Sequence, residues 1–141
     1  MNRKGPIIII EDDWDDQDIL KEIFESLSYP NEVMFFNDGE EALKYLTKAK
    51  EDPFIIFSDI NMPKLNGMEL REQIQENEEL RVKSIPFLFF STTSEQKYIV
   101  DAYSKSVQGF FIKPNSYKEI KETIMIIMEY WSKCVAPNYV K

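Results

Sequence analysis

Five times along this chain a short apolar run is followed by a turn and then by a segment with helical spacing. That alternation restricts the fold more than any other feature. The runs are residues 7–10, 33–36, 54–57, 87–90 and 110–112, built from Ile, Val, Leu, Met and Phe. Such unbroken runs suit strands covered on both faces, whereas a strand with one wet face alternates apolar and polar residues. Between them, Ile19, Leu20, Ile23, Phe24 and Leu27 recur as one face of a helix would, and Ile120, Ile124, Ile127, Met128 and Trp131 do the same near the C-terminus. Reciprocal capping pairs mark four helix starts: Asp38 with Glu41, Asn66 with Glu69, Thr93 with Gln96, and Ser116 with Glu119. Strict alternation of strand and helix predicts parallel strands joined by right-handed crossovers, with helices on both faces. The expected fold class is therefore α/β, a doubly wound (βα)5 domain. At 141 residues the chain has room for one such domain. It is expected to span residues 1–141, with a core over about 6–133 and a short tail after Cys134 in which Pro137 ends any helix.

Composition removes several functions. The sequence has no His, the commonest general base and metal ligand. Its one Cys, Cys134, allows neither an internal disulfide nor a cysteine zinc site, which fits an intracellular chain. The net charge of −8 argues against nucleic acid and anionic membranes as partners. The start of the chain is polar and no apolar run is long enough to span a membrane, so the expected location is the cytoplasm. The charge is also concentrated. Six of the eight residues from 11 to 18 are acidic and none is basic, which leaves a net of only −2 on the rest.

In doubly wound sheets, function collects beyond the carboxyl ends of the strands. At those ends stand Glu11-Asp12-Asp13 after the first run, Ser58-Asp59-Ile60-Asn61 after the third, Ser91-Thr92 after the fourth and Lys113-Pro114 after the fifth. Glu11, Asp12 and Asp59 would repel one another on one edge, so the pattern calls for a compensating cation. A hard divalent ion such as Mg²⁺ suits it, because Mg²⁺ takes oxygen ligands from one or two carboxylates, water and phosphate. Lys113 supplies a second positive charge. The later acids, Asp13, Asp15, Asp16 and Asp18, read more simply as favourable charge at a helix start. Six acids in the first loop would also expel a free phosphate anion of the kind that Gly-rich first loops bind.

The four motifs in order, with the second running on through Met62-Pro63-Lys64-Leu65-Asn66-Gly67, resemble the receiver domain of two-component response regulators, and the likeness spans about residues 7–131. The resemblance implies a flavodoxin-like sheet of order 2-1-3-4-5. It also implies that Asp59 is the phosphoryl acceptor, Asp12 a direct Mg²⁺ ligand, Glu11 a ligand through water and the Asn61 main-chain carbonyl a further ligand. Lys113 and Ser91 would contact the phosphoryl group. Pro114 would follow a cis Lys113-Pro114 bond. Ser91 and Phe110 would form the switch, with the hydroxyl moving toward the phosphoryl group and the ring filling the space it leaves. Asn61 and Thr93 fall where the family tunes hydrolysis.

The same resemblance implies a donor: a sensor histidine kinase or a histidine phosphotransfer protein. With the receiver filling the chain, output is expected in trans, through the face made by the helix after the fourth strand, the fifth strand and the final helix. Tyr98, Tyr103, Tyr117 and Trp131 lie in those helices, available to a downstream protein or to a second copy in a homodimer. The chain is expected to catalyse only its own phosphoryl transfer and dephosphorylation. One rival is a pseudo-receiver with a dead site, against which the complete residue set weighs. A Mg²⁺-dependent phosphatase with an aspartyl nucleophile would want an acid two residues after Asp59, where Asn61 stands.

Overall fold

The computed structural model describes residues 2–135; the expected tail with Pro137 lies outside the described residues. Five strands, β1 (Ile7–Ile10), β2 (Val33–Phe36), β3 (Ile55–Ser58), β4 (Phe87–Ser91) and β5 (Gly109–Ile112), form one parallel sheet in the order β2-β1-β3-β4-β5. The expected runs agree to within a residue at each end. Their alternate side chains build two cores, as the period of two in a strand requires. Ile7 and Ile9, Ile55 and Phe57, and Leu88 and Phe90 face one side, where they pack against α1 (Trp14–Leu27) and α6 (Tyr117–Lys133). On the other side Ile8, Ile10, Ile56, Phe87 and Phe89 meet α2 (Gly39–Lys48), α3 (Gly67–Glu76), α4 (Glu78–Lys83) and α5 (Gln96–Ser104). All four residues of β1 are at most 2 % exposed.

Three of the four capping pairs form. Asp38 and Ser116 accept from the amides of Glu41 and Glu119, and Asn66 with Glu69 closes a full capping box. Thr93 does not cap a helix. Its amide donates to Ser91 Oγ at 3.3 Å and its own hydroxyl accepts from Glu95, so the turn after β4 uses Thr93, and α5 starts later, at Gln96, with no side-chain cap. The short α4 is an addition to the five expected helices. Asn77 ends α3 and caps α4 through Leu80 N, and Leu80 is the one buried residue of that turn and a half.

Two anchors matter for the site. Arg71 of α3 is buried and donates to the carbonyls of Lys105 and Ser106, pinning the C-terminal end of α5. Of α5, only Ala102 is buried, so its N-terminal end is loosely held. The loop between β3 and α3 is drawn in by Gly67 N to Ile60 O at 2.8 Å and by Gly39 N to Leu65 O at 3.2 Å. A Cβ on Gly67 would lie 2.3 Å from Asp59 O and 2.7 Å from the Phe89 ring. Gly67→Ala is therefore expected to destabilise the domain by about 1–3 kcal/mol, the usual cost of overpacking, read as a lower urea midpoint with an unchanged slope.

Candidate functional site

Because every strand runs the same way, the residues after β1, β3, β4 and β5 arrive at one edge. Glu11 continues β1, with its amide on Phe36 O, and its side chain is buried. Gln17 of α1, itself buried, donates to the Glu11 carbonyl and to Asn37 Oδ1. Asp13 caps α1 by accepting from the amides of Asp15 and Asp16. Asp59 leaves β3 with its amide on Ile10 O, and its Oδ1 accepts from Ile60 N at 2.7 Å. That leaves Oδ2 as the oxygen turned toward Lys113. One carboxylate oxygen from each of Glu11, Asp12 and Asp59 lies within 4.8 Å of the others, with Glu11 buried, Asp12 exposed and Asp59 between.

Lys113 enters from the end of β5, its amide on Ser91 O at 2.8 Å. Its ammonium pairs with Glu11, with Asp16 at 2.9 Å, and with Asp59 Oδ2 at 3.7 Å. Burial pulls the Lys113 pKa down, but the hydrogen bond to Glu11, the charges of Asp59 and Glu11 and the hydrogen bond to Asp16 outweigh it and hold it above the ordinary lysine value. Burial pushes the Glu11 carboxyl up to about 7, opposed by the hydrogen bond and charge of Lys113 and reinforced by Asp59. Among the described residues no ion pair reaches Asp12. The edge thus holds more carboxylate than cation. An all-oxygen set of three converging carboxylates with one ammonium beside it fits a hard divalent ion.

Of the remaining predicted residues, Ser91 and Asn61 lie at this edge, while Phe110 lies within the sheet, in register with Phe89. Ser91 is buried at the end of β4; its Oγ accepts from Thr93 N, and its own proton has no acceptor among the described residues. Phe110 sits half-buried on β5 with its ring centroid 5.9 Å from that of Phe89. Asn61 is exposed in the loop two residues past Asp59. One expectation is corrected: the described chain has no cis peptide bond, so Lys113-Pro114 is trans. Trans is the lower-energy form of an X-Pro bond by about 0.5–1 kcal/mol, and with it the Lys113 ammonium already reaches three carboxylates. Asp16 and Gln17 belong to the site although the sequence pattern marks them only as part of an acidic helix start. Gln17 does carry a signal of its own: it leads the apolar face that continues through Leu20 and Phe24.

A family model matches most of this chain. It is described as the response regulator receiver domain and covers residues 7–125. The chain belongs to the receiver domain family. Among curated proteins, this receiver is 31 % identical over 129 residues to the probable methanogenesis regulatory protein FilR2 of Methanothrix harundinacea (strain 6Ac), covering 89 % of this chain and 82 % of that one. It is 30 % identical over 129 residues to chemotaxis protein CheY-3 of Vibrio cholerae serotype O1, covering 92 % and 95 %. Among solved structures, the phosphorylated cyanobacterial phytochrome response regulator RcpA matches with a TM-score of 0.85 at 26 % identity, over 96 % of this chain and 99 % of that one. The Mn²⁺-bound form of response regulator Rcp1 shares the fold, with a TM-score of 0.81 at 23 % identity over 94 % of this chain and 97 % of that one. As a receiver, the chain is a signalling protein of the two-component type, and no helix among its described residues is long and apolar enough to cross a membrane.

Removing the ammonium exposes how much the edge depends on it. Lys113→Met leaves Glu11 buried without its cation, and the loss is expected to cost about 3 kcal/mol at pH 8. Without Lys113 the Glu11 pKa climbs further above its unfolded value. A carboxyl raised in the folded state contributes stability that is complete below about pH 4.5 and lost as the pH rises through its folded value. The deficit of the variant is therefore larger at pH 8 than at pH 5.5, as measured by urea unfolding at both.

Proposed function

We propose that this receiver accepts a phosphoryl group on Asp59 from a sensor histidine kinase or a histidine phosphotransfer protein in the cytoplasm, and thereby switches protein–protein contacts in trans. The observation that carries the reading is the convergence of Glu11, Asp12 and Asp59 within 4.8 Å beside a buried Lys113. Asp12, Asp59 and the Asn61 main-chain carbonyl would hold Mg²⁺ directly and Glu11 through water. When bound, the ion supplies positive charge where the oxygens of the transferring group become more negative. Asp59 needs no general base, because its carboxylate is the nucleophile. With Oδ1 held by Ile60 N, Oδ2 attacks phosphorus; the Oδ2–P bond forms, the P–N bond to the donor histidine breaks, and the histidine keeps the electron pair. Lys113 stands 3.7 Å from that oxygen and neutralises the group that arrives. Dephosphorylation by water at the same phosphorus is the chain's other reaction, with Asn61 and Thr93 at its rim. The receiver fills about residues 6–133.

Switching falls to Ser91 and Phe110. The free proton of Ser91 suits a phosphoryl oxygen on Asp59, and α5 beside it is held mainly at its far end by Arg71. Turning a 1:99 equilibrium to 99:1 takes roughly 5.5 kcal/mol, while one hydrogen bond to a charged group contributes about 1.5–3 kcal/mol. Ser91 therefore shares the work with Lys113 and with repacking of Phe110. Output then runs through the face of α5, β5 and α6, where Tyr103, Ile112 and Tyr117 are exposed. A second copy of the chain is one form that output takes.

Incubation with acetyl phosphate and Mg²⁺ is expected to add one phosphoryl group by mass. Asp59→Asn, or chelation of Mg²⁺ in the wild type, abolishes the gain. An Asp59-independent gain, or none, overturns the reading, and sustained turnover of a phosphomonoester would favour a phosphatase instead. Ser91→Ala is expected to leave phosphorylation of Asp59 within about twofold while weakening the change that phosphorylation causes on the α5–β5–α6 face, followed by amide NMR shifts. Equal loss of both would contradict that division of labour.

A further inference from the structure

We propose that Asp16 is a positioning residue whose ion pair with Lys113 belongs to the resting state alone, holding the ammonium back from Asp59 until a phosphoryl group there claims it. The proposal deepens the receiver reading and rests on it. Lys113 has three protons. It donates to Glu11 and, at 2.9 Å, to Asp16, while Asp59 Oδ2 at 3.7 Å is beyond hydrogen-bond reach. The resting ammonium is thus committed to the α1 side of the edge.

The two partners differ in how readily they let go. The Glu11 side chain is 3 % exposed and its second oxygen accepts from Asp13 N, so losing Lys113 would strand a buried charge. The Asp16 side chain is 35 % exposed, so water replaces the ammonium there at small cost. Asp16 is the contact that yields. Phosphorylation raises the charge on Asp59 from one negative unit to about −1.5 to −2, enough to reverse the preference of an ammonium already close by. An interaction present in only one of two states favours that state by its own worth. Asp16 therefore opposes the phosphorylated form, and Lys113 keeps Glu11 while it changes its second partner.

The plain alternative is that Asp16, like Asp15, merely places an acid in the first turn of α1. Asp15 separates the two, since it neighbours Asp16 in the same turn and has no contact with Lys113 among the described residues. The probe is beryllofluoride, which binds a carboxylate as a phosphoryl mimic, titrated calorimetrically in excess Mg²⁺. Asp16→Asn is expected to tighten beryllofluoride binding about three- to fivefold, the scale of a partly exposed ion pair. Asp16→Ser serves as a second neutral variant, thermal melting checks that each is folded, and Asp16→Glu is expected to restore the wild-type affinity. Asp15→Asn should leave it unchanged. Unchanged or weaker binding in both neutral variants, or an equal tightening in Asp15→Asn, overturns the role of Asp16 while leaving the receiver reading intact. Wild type that fails to bind, or Asp59→Asn that binds equally well, overturns the receiver reading and this proposal with it.

Discussion

The pairing of the Lys113 ammonium with carboxylates from β1, α1 and the end of β3 is the constraint on which the rest of the edge depends. Parallel strands deliver Glu11, Asp59 and Lys113 to the same side of the sheet, and without the lysine their charges would oppose folding. In the sheet order, β4 stands between β3 and β5, so the lysine must cross the end of β4 to reach its partners. That end is Ser91, whose side chain is small and whose carbonyl holds the Lys113 amide. The same residue therefore gives the lysine its path and sets at the edge a hydroxyl whose one hydrogen bond among the described residues is accepted from Thr93 N.

The fold supports this edge unevenly, and the unevenness suits a switch. On one side, β1 and β3 are buried throughout and Gly67 seats the loop after Asp59 directly against its carbonyl. Asp59 is thus rigidly placed. On the other side, α5 has a single buried residue, no side-chain cap at its start, and a firm anchor only where Arg71 meets its C-terminal end. A change at Ser91 meets a firm sheet behind it and a lightly held helix in front.

Much of this is legible in the amino-acid sequence, because the strongest signals are those of strand and edge. Apolar runs such as Ile7–Ile10 can satisfy their surroundings only as strands covered on both faces, and the residue just past such a run in a parallel sheet has one place to go. Glu11 and Lys113 are placed by that rule alone, and Asp59 follows one residue further on, after Ser58. Asp16 is not, because an acid in the first turn of a helix is already explained by the helix dipole; only the lysine's reach across the edge gives it a second role. Helix α4 buries one apolar residue, Leu80, too few to show a period. Thr93 matches a capping spacing but sits in a turn that bonds back to Ser91, a contact set by the strand end and not by local sequence. The cis bond expected before Pro114 comes with the family likeness, and the trans chain reaches the same carboxylates without it.

The central claim is that Lys113 is the charge that keeps the acidic edge together at rest and meets the phosphoryl group when one arrives. The most direct test is the side-chain ammonium resonance of Lys113 in ¹⁵N-lysine-labelled protein, assigned by comparison with Lys113→Met. The account predicts a signal protected from solvent exchange at rest, as two carboxylate hydrogen bonds and an 8 % exposed side chain require. On adding Mg²⁺ and beryllofluoride it should shift and stay protected, whereas in Asp59→Asn it should stay protected through Glu11 and Asp16 and not shift. A Lys113 signal that exchanges as fast as those of surface lysines, or that does not respond to an occupied Asp59, would contradict it.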